Sequence, residues 1–231
     1  MAGDNDELRN AVIETCRAMN GLGINNGTSG NVSVRVEDGF LISPTGIAYD
    51  RLAPGLIVHM RMDGTFDGDV LPSSEWRFHR DILLTRSDLN AIVHTHSTHA
   101  TALAIMGLAI PALHYSIAAV GGHTIRCAPY ATFGTQELSD AALGAMEGRR
   151  ACLLAHHGVI AAHGDLARAL SLAVLVEELA KQYLLCRSIG DPPVLDDAEI
   201  DRVLVKYRSY GQQRSAQDTA VIPSAARDLL K

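Results

Sequence analysis

Two histidines one residue apart, His94 and His96, close the apolar run Ala91-Ile92-Val93. Side chains alternate along a strand, so both imidazoles leave the same face. Placed there, they can chelate Zn²⁺ or a similar divalent cation; the competing reading is a hydrogen-bonded polar rim. A second apolar run, Ala151-Cys152-Leu153-Leu154-Ala155, ends in His156-His157-Gly158. Adjacent strand residues point to opposite faces, so at most one of this pair joins the first two, and alternation does not choose between them. Three imidazoles from two strand ends, with a coordination position left open, are the donor set of catalytic rather than structural zinc. Glu75 follows Ser73-Ser74 and precedes Trp76, which makes it the strongest acid/base candidate; the plainer alternative is a first-turn acid stabilising a helix dipole. His79 lies four residues further on the same helix face, where a hydrogen bond to Glu75 is favoured over shared chelation. Thr28, Gly30, Asn31, Thr45, Gly46, Ser73 and Ser74 offer hydroxyls and backbone amides from three loops. That is what a phosphate site built with few lysines needs. Neither glycine loop has the GxGxxG or Walker spacing, which argues against a nucleotide.

These groups need elements to carry them. Leu8, Ala11, Val12, Thr15 and Met19 recur at helical spacing, and Gly21 and Gly23 end that first helix. The polar loop Asn25-Asn26-Gly27-Thr28-Ser29-Gly30-Asn31 leads into alternating Val32-Ser33-Val34-Arg35-Val36, a turn at Glu37-Asp38-Gly39, and Phe40-Leu41-Ile42. This reads as a hairpin, closed by Ser43-Pro44-Thr45-Gly46. A serine cap at Pro72-Ser73-Ser74-Glu75 opens a helix predicted to reach about Arg86. Residues 91–96 and 151–158 are predicted buried strands, with a helix over 97–106 after the first. A long helix is expected from Asp165 to about Ile189, stopped by Gly190 and Pro192-Pro193. Asp196 and Glu199 have capping-box spacing for a last helix to about Tyr210. The composition then turns to Gln, Ser, Arg and Ala, so one domain over 1–211 is expected, followed by a mobile tail over 212–231.

Length and composition bound the function. A chain of 231 residues favours one compact domain. A net charge of −6, a pI near 5.9 and a mean hydropathy of +0.08 lack the clustered basic face of a nucleic-acid binder. They equally remove electrostatic support for a membrane-surface role. No apolar run spans a bilayer, the N-terminus Met1-Ala2-Gly3-Asp4-Asn5-Asp6-Glu7 is not a signal peptide, and Cys16, Cys127, Cys152 and Cys186 form no CxxC pair. A cytoplasmic, reduced protein is expected. Ten histidines stand against only eleven aromatic residues, so imidazole is plentiful where stacking surface is scarce. His59, His79, His99, His114, His123 and His163 read mostly as structural or surface residues.

Six ordered blocks carry a resemblance: Gly27-Thr28-Ser29-Gly30-Asn31-Val32-Ser33-Val34-Arg35, Ser43-Pro44-Thr45-Gly46, Pro72-Ser73-Ser74-Glu75-Trp76-Arg77-Phe78-His79, Val93-His94-Thr95-His96, Ala128-Pro129-Tyr130-Ala131-Thr132-Phe133-Gly134-Thr135 and His156-His157-Gly158. Together they resemble the class II aldolase family, nearest the branch that cleaves L-fuculose 1-phosphate, over about residues 8–211. The resemblance implies a single three-layer α/β domain with a central, mostly antiparallel sheet flanked by helices. It implies one Zn²⁺ per subunit on His94, His96 and His157, so choosing His157 over His156, with Glu75 ligating the resting metal and then acting as base. It implies a phosphate pocket at Gly30, Asn31, Thr45, Gly46, Ser73 and Ser74, with Thr28 nearby. Tyr115 would enter from an adjacent subunit of a homotetramer, and Tyr210 would be a second active-site tyrosine. The implied reaction is reversible cleavage of a ketose 1-phosphate, L-fuculose 1-phosphate or a related 5-deoxy sugar, to dihydroxyacetone phosphate and a small aldehyde such as L-lactaldehyde. A pentulose-phosphate 4-epimerase or a methylthioribulose-phosphate dehydratase of the same superfamily is the alternative. A non-catalytic scaffold should have lost a metal ligand or the base, and all four are present.

Overall fold

The computed structural model describes residues 2–207, with side chains from residue 6 onward. Seven strands form one sheet: β1 (Asn31–Val36), β2 (Gly39–Ile42), β3 (Val58–Met60), β4 (Ala91–Thr95), β5 (Cys127–Ala128), β6 (Ala151–Leu154) and β7 (Gly158–His163). Their spatial order is β3-β2-β1-β4-β7-β6-β5. Every pairing is antiparallel except the short β5–β6 edge, as the resemblance implied. The helices α1 (Ala2–Gly21), α2 (Trp76–Thr85), α3 (Thr98–Ile105), α4 (Gln136–Met146), α5 (Leu166–Ile189) and α6 (Asp197–Tyr207) cover both faces.

Strand alternation sorts the sheet residues into two cores. Val32, Val93, Leu153, Val159 and Ala161 pack with Val12 and Met19 of α1, Leu103 of α3 and Val176 of α5. Phe40, Ile92, Leu154 and Ile160 face the other way, against Phe78 and Ile82 of α2 and Leu138 and Met146 of α4. The central strand β4 is buried along its whole length because helices cover it on both sides. That gives a three-layer domain in which β4, the carrier of His94, is paired on both edges by β1 and β7.

Several predicted elements shift. Residues 151–158 are not one strand: β6 stops at Leu154, and Ala155, His156 and His157 turn the chain into β7, a strand the reading did not separate from its neighbour. Helix α4 was likewise not predicted; Thr135 caps it by accepting from the Leu138 amide at 3.3 Å. The serine cap of α2 is different in kind, since Glu75 itself occupies the capping position and makes no side-chain cap bond. The Ser73 hydroxyl instead accepts from the Glu75 amide at 3.3 Å. The Asp196 cap is present, accepting from the Glu199 amide at 2.7 Å. All four cysteines are free thiols, and among the described residues no helix is long and apolar enough to cross a membrane. The expected tail over 212–231 and the end of the last predicted helix lie outside the described residues.

Candidate metal centre and active site

Strand β4 presents His94 toward the α2 side of the sheet, where its ring meets Phe78 edge-on at 5.4 Å. Phe78 is 1% exposed, and its burial contributes roughly 1.5–3 kcal/mol to anchoring α2. The first residue before that helix, Glu75, therefore comes to rest over the end of β4. Its Oε2 is 3.1 Å from His94 Nε2, and its Oε1 is 3.1 Å from His157 Nε2. His96 Nε2 lies 3.0 Å from His94 Nε2. The three rings of His94, His96 and His157 are mutually 4.9 Å apart and close to perpendicular, at 78°, 77° and 90°. Two glycines permit this convergence. A Cβ on Gly30 would sit 2.5 Å from the His94 carbonyl oxygen, and one on Gly158 would sit 2.4 Å from the Thr95 carbonyl oxygen, so at these two points, just before β1 and at the start of β7, the chain passes β4 too closely for a side chain.

The donor chemistry fits a divalent cation. One ligand atom from each of Glu75, His94, His96 and His157 lies within 4.8 Å of the others. His94 Nδ1 is 2.8 Å from the Val159 carbonyl oxygen, which can only accept, so Nδ1 carries a proton and Nε2 is the nitrogen left to face a cation. Glu75 Oε1, fully buried, has no well-formed hydrogen bond. Converging lone pairs on three nitrogens and a carboxylate repel unless positive charge sits among them. In the cation-free cluster the imidazoles themselves are the source of that charge. Burial pushes the Glu75 carboxyl up, but His94 and His157 outweigh it and hold it far below the usual carboxylate range. His96 is pushed down to about 3, first by burial and then by His94 and His157. It is therefore neutral and able to donate at pH 7.

The expected i, i+4 bond between Glu75 and His79 is replaced by a longer path. His79 Nε2 lies 2.5 Å from Asn31 Oδ1, and Asn31 Nδ2 donates to Glu75 Oε2 at 3.0 Å. The Glu75 backbone is not helical (φ −99°, ψ 14°), which turns its carboxylate toward the strands and not along the helix face.

The cluster opens into a cavity of about 410 Å³, a size suited to a small metabolite. Thr28, Thr45, Gly46 and Ser74 line it together with Glu75, His96 and His157. Their loops are tied together. The Ser43 carbonyl accepts from the Ser73 amide at 3.0 Å, and the Leu71 carbonyl accepts from the Thr45 amide at 3.2 Å. The other three expected pocket residues, Gly30, Asn31 and Ser73, are buried below this surface, and the Asn31 carboxamide faces Glu75 and His79. Tyr115 is 53% exposed, lies against the His114 ring at 4.6 Å with the planes tilted by 31°, and borders a different cavity beside α6, so within one chain it does not line the Glu75 cavity. Tyr210 lies outside the described residues. Sequence reasoning gave no role to Tyr130 and Phe133, which line the Glu75 cavity while 63% and 65% exposed. With so few aromatic residues in the chain, two in one short loop were the available signal.

Turn geometry decides between the paired histidines. His156 has φ +56°, its amide bonds the Ala104 carbonyl at 3.1 Å, and its ring meets Tyr130 edge-on at 5.9 Å. A left-handed residue here swings His157 inward. His156→Gly is expected to keep metal affinity, whereas the β-branched His156→Val loses about 1–3 kcal/mol of stability relative to the glycine variant and weakens metal binding. Denaturant unfolding and metal titration check this; equal stability of the two variants would show that the left-handed turn is dispensable.

Comparison with known proteins extends these observations. Residues 10–184 match the family model of the class II aldolase and adducin N-terminal domain. A 5-methylthioribulose-1-phosphate/5-deoxyribulose-1-phosphate aldolase from Rhodospirillum rubrum is 50% identical over 97% of this chain and 99% of its own. An L-fuculose phosphate aldolase from Escherichia coli is 51% identical over 90% of this chain and 97% of its own. A solved L-fuculose 1-phosphate aldolase superposes with a TM-score of 0.85 at 40% identity, covering 87% of this chain and 96% of that one.

Proposed function

The chain belongs to the class II aldolase and adducin N-terminal domain family, and from that premise we propose that it is a Zn²⁺-dependent aldolase acting on L-fuculose 1-phosphate or a related 5-deoxy ketose 1-phosphate. The products are dihydroxyacetone phosphate and a small aldehyde such as L-lactaldehyde. One observation carries the reading: the cluster of Glu75, His94, His96 and His157 opens, through Glu75, His96 and His157, onto a cavity whose walls also include Thr28, Thr45, Gly46 and Ser74.

Bound by these four side chains, Zn²⁺ would supply a Lewis acid that polarises the substrate carbonyl. Glu75 moves the proton: in the synthetic direction it takes one from the hydroxymethyl carbon of dihydroxyacetone phosphate, and in cleavage it returns it. The hydroxyls of Thr28, Thr45 and Ser74 and the amide of Gly46 hold the phosphate, with Gly30, Asn31 and Ser73 shaping the floor beneath them. Tyr115, supplied by the adjacent subunit of a homotetramer, donates a proton to the aldehyde oxygen; its exposure and its distance from its own chain's Glu75 cavity support that arrangement. Tyr210 joins the aldehyde end from the C-terminal segment. The four free thiols suit a reducing, cytoplasmic setting.

L-Fuculose 1-phosphate, 5-deoxyribulose 1-phosphate and 5-methylthioribulose 1-phosphate share the dihydroxyacetone phosphate half and differ only beyond the bond that breaks. Residues at the phosphate end therefore cannot discriminate among them, and the choice falls to the aldehyde end. The exposed Tyr130 and Phe133 give the cavity an apolar rim, which favours a methyl or methylthio terminus over a hydroxymethyl one. A specific observation favours the 5-deoxy and methylthio pentulose phosphates as a second reading: similarity to the Rhodospirillum rubrum aldolase spans 97% of this chain, against 90% for the Escherichia coli enzyme.

The test is a panel of these three sugars assayed for dihydroxyacetone phosphate release, with Zn²⁺ present and after chelation. Release from at least one of them, lost on chelation and restored by Zn²⁺, is the expected result. Consumption of substrate without dihydroxyacetone phosphate would point instead to epimerisation or dehydration on the same centre.

A further inference from the structure

Behind Glu75, on the side away from the cavity, lies a run of three buried polar side chains. Ser33 Oγ is 2.7 Å from His79 Nδ1, His79 Nε2 is 2.5 Å from Asn31 Oδ1, and Asn31 Nδ2 donates to Glu75 Oε2 at 3.0 Å. Ser33 and His79 are fully buried, and Asn31 is 3% exposed. The direction of every bond follows from the last one. An ionised carboxylate only accepts, so the Asn31 nitrogen must face Glu75 and its oxygen must face His79. His79 must then carry its proton on Nε2, and its Nδ1 accepts from the Ser33 hydroxyl.

A carboxamide on its own can turn over and exchange its nitrogen for its oxygen at little steric cost. Here that would set an oxygen lone pair against Glu75 Oε2 in a buried site, where an unpaired polar contact is expensive. The Nε2–H of His79 prevents it. We infer that His79 is a positioning residue for Glu75: through Asn31 it fixes the rotation of the carboxylate, so that Oε2 stays toward His94 and Oε1 toward His157. Ser33 acts one step further back, by setting the His79 tautomer. The inference rests on the reading of Glu75 as metal neighbour and base. It also gives the Asn31 side chain a task apart from phosphate. A merely structural network joining β1 to α2 would stabilise the fold equally well but would not care which way the amide points.

Two substitutions separate the alternatives. His79→Gln keeps an N–H near the Nε2 position, whereas His79→Phe fills the space without a donor, and Phe78 already stacks on this ring at 4.6 Å. Zn²⁺ affinity, measured by competition with a chromophoric chelator, is expected to fall about 10–100-fold in His79→Phe and to stay within about threefold of the parent in His79→Gln. Proton exchange on dihydroxyacetone phosphate should follow, through a lower kcat with KM changed less than about twofold. Equal Zn²⁺ affinity of the two variants overturns the proposal, as does a loss confined to melting temperature. If His79→Phe does not fold, Ser33→Ala decides: a smaller loss of Zn²⁺ affinity in the same direction supports the inference, and an unchanged affinity overturns it. Failure of the parent enzyme to release dihydroxyacetone phosphate from any sugar would sink the aldolase reading alone, because the Zn²⁺ arm reports on Glu75 without turnover.

Discussion

Glu75→Gln is expected to lower proton exchange on dihydroxyacetone phosphate by about 10²–10⁴-fold, the range for loss of a positioned general base, while leaving the fold intact. Glutamine has nearly the same shape, and its carbonyl oxygen can still accept from Asn31 Nδ2, now 3.0 Å from Glu75 Oε2. What it lacks is a basic oxygen with a full negative charge. That charge is maintained at neutral pH: burial pushes the carboxyl up, but positive charge beside it, from His94 and His157 in the cation-free cluster or from a bound cation, outweighs burial. Exchange is read by deuterium incorporation from heavy water, followed by NMR. Binding of the ketose 1-phosphate is measured separately by calorimetry and is expected to persist, since the groups proposed to hold the phosphate, at Thr28, Thr45, Gly46 and Ser74, line the same cavity and do not include the Glu75 carboxylate. Undiminished exchange in a folded variant would remove Glu75 from its role.

His94→Ala is expected to lower metal affinity by more than the 10–100-fold associated with losing an outer partner of a ligand, because it removes a ligand and disorders its neighbours. His94 is fully buried, its Nε2 sits 3.1 Å from Glu75 and 3.0 Å from His96, and its ring packs edge-on against both other histidines. The variant also leaves the Val159 carbonyl without the Nδ1–H that reaches it at 2.8 Å, an added loss of about 1–3 kcal/mol in stability. Metal analysis of the purified protein and chelator competition check the first effect, and denaturant unfolding checks the second. His156→Ala is the matched control, since His156 lies outside the ligand cluster; it should retain its metal. Full metal occupancy in His94→Ala would exclude His94 from the ligand set.

The readable part of this site was local. His94 and His96 are two apart, and a period of two puts both on one face of an extended chain; β4 ends at Thr95, one residue before His96, yet the two rings do converge, with their Nε2 atoms 3.0 Å apart. Glu75 stood out because two serines and a helix start surround it. The polar loops at Thr28, Thr45 and Ser74 were legible as turns with free amides, and they do meet at one cavity. The misreadings were equally specific. His156 and His157 were weighed by alternation, yet both lie in a turn between β6 and β7, where a left-handed backbone and not a pleat selects the inward ring. The Glu75–His79 bond was inferred from helix spacing, yet Glu75 stands just outside the regular helix, and Asn31, from a strand more than forty residues earlier, takes the place between them.

Alternation, caps and turn residues act over a few positions, so by itself the sequence determined that a His-x-His pair after an apolar run, a later His-His pair, an acid at a helix start and several amide-rich loops exist in this order. It also carried the family resemblance that pairs them with a metal and a sugar phosphate. Only the tertiary structure decided that Glu75 faces His94 and His157, that Asn31 and His79 orient it, and that Tyr130 and Phe133 rim the cavity. Those contacts depend on how helices pack over both faces of a seven-stranded sheet and on two glycines that let strands close to within a backbone's width of β4. Such distances are set by the summed packing of segments far apart in the chain, and no short window of residues contains them.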